Sequence, residues 1–251
     1  LFRREGKSLI LSDAGRVVKR YAERIFAFGD EMVEVVQRGG AGATETVYLG
    51  IGDAVPKLLA SHILVRCWEE APSLKIVVRE GLPSELFPAL AAHQLDIVIA
   101  NEPAPPSLKA VLFSAKSGRY GVHFVATGEL KKAYNPKRGL SGFPVLLPTR
   151  ESALRRELDR WWAENGIVPD IRAEFDDTAA MCELASSGIG AAPVLEPVLD
   201  DVFKRYGLQK LPLKTGIQEE LFVITAERQF SQEGPRMIAR IASSHRRESA
   251  R

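Results

Sequence analysis

The run at residues 95–100, LDIVIA, constrains the fold of this chain more than any other segment. A stretch this rich in branched apolar residues, and too short for a helix, has no solvated face and suits a strand buried on both sides of a parallel sheet. Parallel strands cannot be joined by tight hairpins, so crossover helices must flank it. The neighbouring sequence supplies them. Residues 47–52 are a short β-rich run and 56–70 a helical pattern; 74–80 (LKIVVRE) read as a second strand and 84–93 as a second helix, giving βαβαβ with right-handed crossovers. A second unit follows: strand 144–147, helix 151–165, strand 171–175, helix 177–187 and strand 189–195. Two further strand-like runs, 120–127 and 220–226 (ELFVITA), bracket it, as they must if the chain leaves one lobe, builds another and returns. The helix at 235–244, with Met237, Ile238 and Ile241 apolar, is expected to pack back on the first lobe. The fold class is therefore α/β with two Rossmann-like lobes, and such hinged pairs bind small ligands in the cleft at the carboxyl ends of their strands.

A different periodicity precedes the lobes. Ser12 is placed to cap a helix whose apolar positions, Val18, Tyr21, Ile25, Phe28, Met32 and Val35, are spaced 3, 4, 3, 4 and 3 apart. Charged residues fill the remaining circumference, so the apolar face is a narrow seam, suited to a second helix. Packing of a lone amphipathic helix on its own domain would leave the same stripe. The helix is expected to end at Arg38, and residues 39–46 (GGAGATET) read as a flexible linker.

Composition excludes several classes. The 34 Lys and Arg nearly balance 32 Asp and Glu, so the net charge of +2 names no nucleic-acid partner. Cys67 and Cys182 are the only cysteines, far apart and each in a helical stretch, which reads as two structural thiols in a reducing compartment. No apolar run approaches the ~20 residues of a membrane span, and a cytoplasmic protein is expected. His62, His93, His123 and His245 are scattered without metal-ligand spacing. Gly50-Ile51-Gly52 lacks the third glycine of a dinucleotide fingerprint, and Gly188-Ile189-Gly190 follows a helix, where a C-cap is the better account. No nucleophile elbow or phosphate loop occurs, so neither catalysis nor a bound metal or cofactor is expected.

Acidic and hydroxyl residues gather where strands end. Asp53 closes the first strand, Glu80 the second and Asn101-Glu102 the third; Thr149 and Ser152 precede one helix, and Asp176-Asp177-Thr178 precedes another. Helix capping accounts for part of this. A polar or cationic effector site is the sharper account, since oxygen ligands suit hard cations.

The opening, Leu1-Phe2-Arg3-Arg4 followed by Leu11-Ser12-Asp13-Ala14-Gly15, resembles the wing and linker-helix start of LysR-type transcriptional regulators, whose usual form is LFxRxxxxxxLTxAG. Ser12 replaces the usual threonine. The likeness continues through both lobes to the last helix. Tyr21-Ala22, Gly52-Asp53-Ala54, Leu95-Asp96, Glu174-Phe175-Asp176-Asp177, Ala192-Pro193 and Ala226-Glu227-Arg228 resemble the branch that activates sodium/proton antiporter genes. The resemblance implies the remnant of a winged helix-turn-helix at 1–11, a dimerising linker helix at 12–38, and a periplasmic-binding-protein-like effector domain. Its first lobe would comprise 47–117 and 227–251, its second 118–226. It further implies promoter DNA and RNA polymerase as partners of the full-length protein, dimers or tetramers, and sodium or lithium as the signal. Since the chain opens inside the wing motif, most of a DNA-reading head is expected upstream; Arg3, Arg4 and Lys7 would then touch the DNA backbone, adding affinity without reading sequence. Where many family members carry a Ser or Thr after the first strand, this chain has Asp53-Ala54-Val55-Pro56, which argues against an organic anion and favours a cation or a different ligand. The effector residues expected are Asp53, Glu102, Thr149, Asp176 and Asp177.

Two rivals share the architecture. A small-molecule binding protein without DNA function has no use for a heptad seam ahead of its lobes, and an enzyme on such a fold needs a reactive residue in the cleft.

Overall fold

The computed structural model describes residues 1–5, 8–37, 45–108, 111–226 and 232–244. The chain divides into two units, Leu1–Glu45 and Thr46–Arg251. In the first, β1 (Phe2–Glu5) and β2 (Ser8–Leu11) form an antiparallel hairpin in which Arg3 lies opposite Ile10 and Arg4 opposite Leu9. The helix α1 (Asp13–Gln37) follows. Ser12 caps it as expected, its hydroxyl oxygen accepting the Gly15 N–H at 3.0 Å. Val18, Tyr21 and Ile25 are exposed on α1, Ile25 at 69 %; the side chains of Phe28, Met32 and Val35 lie outside the described residues. So does the expected linker, apart from its last two positions.

The second unit begins with β3 (Thr46–Gly52), α2 (Lys57–Glu70), β4 (Lys75–Gly81), α3 (Pro83–Ala91) and β5 (Ile97–Ala100). After a short 3-10 turn come the 14-residue strand β6 (Phe113–Ala126), α4 (Gly128–Ala133), β7 (Pro144–Pro148), α5 (Ala153–Asn165), β8 (Asp170–Phe175), α6 (Thr178–Ser186) and β9 (Ala192–Leu195). A second 3-10 turn leads to α7 (Leu199–Tyr206), β10 (Gln209–Lys210), β11 (Gln218–Thr225) and α8 (Glu233–Ser244). One sheet runs β10-β6-β11-β5-β3-β4, with β9 also on β6; β7 and β8 form a parallel pair that reaches β9 through a bridge from Val145 to Ala191.

Sequence explains the order. All four residues of β5 are buried, because the strand pairs parallel with β3 on one side and antiparallel with β11 on the other. Asp96, just before it, accepts the Tyr48 N–H at 2.8 Å and fixes its start against β3. On one face of this sheet Leu59, Ile63 and Cys67 of α2 and Ile238 and Ile241 of α8 close a core with Leu49, Ile97, Ile99 and Val223. On the other face Leu86 and Leu90 of α3 pack on Val98 and Ile224. Gly50 permits that approach: a Cβ there would stand 2.8 Å from Val98 Cγ2 and 2.9 Å from Leu95 Cδ1. A third core gathers Phe124, Leu147, Leu158 and Trp162 where the far half of β6 meets β7 and α5. Gly188, read from sequence as a helix cap, has φ +78° and donates its N–H to the Ala185 carbonyl at 3.0 Å.

The hairpin of β1 and β2 occupies the segment expected as a wing remnant, while the short elements α4, α7 and β10 have no counterpart in the elements expected from sequence. Among the described residues no helix is long and apolar enough to cross a membrane. Ile99 is 1 % exposed between two neighbouring strands; Ile99→Ala is expected to cost about 2–5 kcal/mol, read as a lower urea midpoint with an unchanged denaturant slope.

Candidate functional site

Parallel strands deliver their carboxyl ends to one side of a sheet, and the loops that leave them meet there. In the second unit the loops after β3, β5, β7 and β8 surround a cavity of about 610 Å³. Four of the five residues expected from sequence line it: Asp53 after β3, Glu102 after β5, Thr149 after β7 and Asp176 after β8. The Thr149 hydroxyl donates to Asp176 Oδ1 at 2.6 Å, so the loops after β7 and β8 are held together.

Asp177 is placed differently. Its side chain caps α6, accepting the Ala179 N–H at 2.7 Å, and its second oxygen lies 3.0 Å from Lys57 Nζ. It does not line the cavity. Lys57 also stands 3.6 Å from Glu80, so α2, the end of β4 and the start of α6 share one ammonium. The Lys57 hydrogen bond holds the Asp177 carboxyl below the usual range, and Asp177 in turn raises Lys57. The groups are about half exposed, so the pairs add little beyond the cap.

Three charged residues of the lining escaped the sequence reading: Glu151, Arg156 and Glu219. Glu219 lies on β11, the antiparallel return strand, where a rule about the ends of parallel strands does not reach. A signal was present: Glu219 shares the period-2 phase of Leu221 and Val223, both buried, so a carboxylate stood on the core-facing side of a strand. It is only 7 % exposed, and burial pushes its carboxyl up to about 7 against one hydrogen bond with Asn101. Asp53 is also raised, by burial first and then by repulsion from Asp176 and Glu151. Among the described residues the lining thus holds five carboxylates, Asp53, Glu102, Glu151, Asp176 and Glu219, against one guanidinium, Arg156.

The other expected positions lie apart from this cavity. Arg3 and Arg4 are exposed on the β1–β2 hairpin, while Lys7 lies outside the described residues. His62 sits 3.2 Å from Asp201, His123 is lowered by burial, and His245 is outside the described residues. Among the described residues no group of three His, Cys, Asp or Glu is arranged to hold a metal ion. Both cysteines are buried, with thiols pushed up to about 11 at Cys67 and about 12 at Cys182.

Because Glu219 binds its proton more tightly folded than unfolded, stability falls as pH rises from about 4.5 through about 7. The loss is at most about 3 kcal/mol. Glu219→Gln is expected to flatten that slope in urea titrations run across the interval. Asp177→Ala is expected to cost about 1 kcal/mol through the lost cap, and Asp177→Asn, which keeps a capping oxygen, under half of that in the same assay.

The LysR substrate binding domain family matches residues 40–239 of this chain. The transcriptional activator protein NhaR of Escherichia coli (strain K12) is 30 % identical over 231 residues, which are 91 % of this chain and 75 % of that protein. The HTH-type transcriptional regulator CzcR of Bacillus subtilis (strain 168) is 23 % identical over 205 residues, 78 % of this chain and 65 % of that one. Among solved structures, the reduced regulatory domain of OxyR2 from Vibrio vulnificus superposes with a TM-score of 0.65 at 14 % identity, covering 80 % of this chain and 96 % of its own. The effector binding domain of QuiR in complex with shikimate gives 0.59 at 13 % identity, covering 82 % and 98 %. A mixed sheet with a ligand-sized cleft at the carboxyl ends of its parallel strands, in a chain matched along most of its length by this family, makes the chain a member of the LysR-type transcriptional regulators.

Proposed function

We propose that this regulator responds to a cation taken up in the cleft of Asp53, Glu102, Thr149 and Asp176. The observation that carries the reading is the balance of the lining, five carboxylates to one arginine. QuiR is solved with shikimate, a carboxylic acid; an acid entering the present cleft would meet like charge on most sides. Sodium or lithium is the signal implied by the likeness to activators of sodium/proton antiporter genes, and such cation-stress genes are the proposed targets.

The remaining parts take the roles their pattern suits. The α1 seam of Val18, Tyr21, Ile25, Phe28, Met32 and Val35 pairs with the same helix of a second copy, since the described members of that seam are exposed apolar side chains. Dimers or tetramers result. The β1–β2 hairpin acts as a wing whose Arg3, Arg4 and Lys7 meet the phosphate backbone of promoter DNA, and RNA polymerase is the further partner in the cytoplasm. The effector domain comprises a first lobe of 47–117 and 227–251 and a second of 118–226. Peroxide sensing of the kind an OxyR-like fold could suggest is disfavoured, because both thiols are buried and held far above the pKa of a reactive cysteine.

Thermal midpoints measured in chlorides of equal ionic strength, with potassium as reference and sodium, lithium and an organic ammonium as the other arms, test the reading. A ligand that binds only the folded state raises the midpoint by mass action. A rise with at least one cation over potassium, lost in Asp176→Ala, is expected. Equal midpoints in all the salts, or a rise with carboxylic acids alone, would overturn it.

A further inference from the structure

The cleft has more room than a bare ion needs. A volume of about 610 Å³ falls within the range of small-molecule sites, roughly 300–1,000 Å³, whereas a single water takes about 30 Å³ of liquid volume. The walls are not uniformly polar. Leu82, Phe175, Met181, Val194 and Leu195 contribute apolar surface between the charged groups. An inorganic ion would also find no group of three acidic, His or Cys side chains among the described residues disposed to hold a metal.

Charge selects the class of molecule. Four helix ends, those of α2, α3, α5 and α6, contribute residues to the lining, and each favours an anion by roughly half a charge, screened beyond its first turn. Four half-charges and Arg156 do not offset five carboxylates, and the α6 end is already capped by Asp177. Glu219 is the decisive group. The other four carboxylates are exposed at the cavity, but Glu219 is buried and, among the described residues, has no cationic partner; Asn101 alone bonds to it. A second buried charge, Arg155, is balanced. Arg155, 2 % exposed, meets Asp159 at 2.9 Å, Glu174 at 2.7 Å and the Pro148 carbonyl at 3.0 Å. A buried carboxylate without such a partner holds a proton instead, and, where it faces a ligand-sized cavity, a cation entering from solution takes that proton's place.

We infer that the effector is a small organic cation, an aliphatic or compact body carrying an ammonium group, seated on the apolar walls with its charge shared between Glu219 and the carboxylates around Asp53. The inference rests on the cation-responsive cleft of the preceding subsection and names the chemical class that cleft takes, an organic ammonium in place of the sodium or lithium that the likeness alone implies. Its ammonium restores the ionised form of Glu219 and relieves the repulsion of Asp53 by Asp176 and Glu151. Binding therefore strengthens as pH rises through about 7.

Titration calorimetry with 1,4-diaminobutane tests this, against three controls: 1,4-butanediol (same length, no charge), succinate (opposite charge) and sodium chloride at equal ionic strength. The diamine alone is expected to bind, more tightly above pH 7 than below. Glu219→Gln and Asp53→Asn should each weaken it by roughly tenfold to a hundredfold. Asp53 is exposed, so its variant keeps the test valid if the Glu219 substitution disturbs folding. Sodium binding as well as the diamine does, with both lost in the variants, would overturn the organic class and leave the cationic cleft standing. Succinate binding in place of the diamine, or diamine binding untouched by both substitutions, would overturn the inference together with the cleft reading. A folded protein showing no heat with the diamine overturns the inference alone.

Discussion

The antiparallel pairing of β6 with β11 is the constraint on which the second unit depends. β6 is 14 residues long, and Phe113–Gly121 pair with β11 while Val122–Ala126 pair with β9 and β10. Among the described residues no other element belongs to both groups of strands. Through β11 the pair reaches β5, β3 and β4; through β9 it reaches β7 and β8. Two cores therefore form on one continuous backbone, with Tyr120 and Val125 contributing to one and Val122 and Phe124 to the other. A cleft flanked by loops from both groups inherits its geometry from this pair.

The segment Glu174-Phe175-Asp176-Asp177 shows how one short sequence can serve that cleft in several ways. Glu174 anchors the buried Arg155 of α5, Phe175 supplies apolar wall, Asp176 faces the cavity beside Thr149, and Asp177 caps α6 and holds Lys57. Alternation along β8 and the turn that follows it separates these roles. Conversion of any one acid to an amide disturbs a different property: packing of α5, charge of the cavity wall, or the start of α6.

Much of this was readable beforehand. The strands and helices of both βαβ units were legible because buried parallel strands are apolar runs and helices carry their own period. The positions of Asp53, Glu102, Thr149 and Asp176 followed from a rule about strand ends, which needs only the order of elements. Glu219 did not follow, because its role arises from a return strand whose neighbours are distant in sequence. Glu151 and Arg156 lie at and within the start of α5, where sequence reads them as ordinary solvated charges. Asp177 was read for both possible roles, and its shared hydrogen bonds assign it to the cap and to Lys57. The short elements α4 and β10 carry too few residues for a period to register, whereas α7 does carry one, with Leu199, Val202, Phe203 and Tyr206 at helical spacing.

The register between β6 and β11 shifts by one: Leu221 pairs with Gly118 but Phe222 with Lys116, leaving Ser117 as an extra residue. A bulge of this kind adds local twist. Ser117 turns its hydroxyl to the Ala242 carbonyl of α8 at 2.7 Å, fastening the last helix where the sheet bends. The extra residue also fixes parity. Every side chain of β6 beyond it faces the side it does because that one residue is counted, and removing it would exchange the faces of Tyr120, Val122 and Phe124 with those of their neighbours. At that point in the chain, length is a stricter requirement than residue identity: substitutions of Ser117 alter one hydrogen bond, whereas a single deletion would turn two cores inside out.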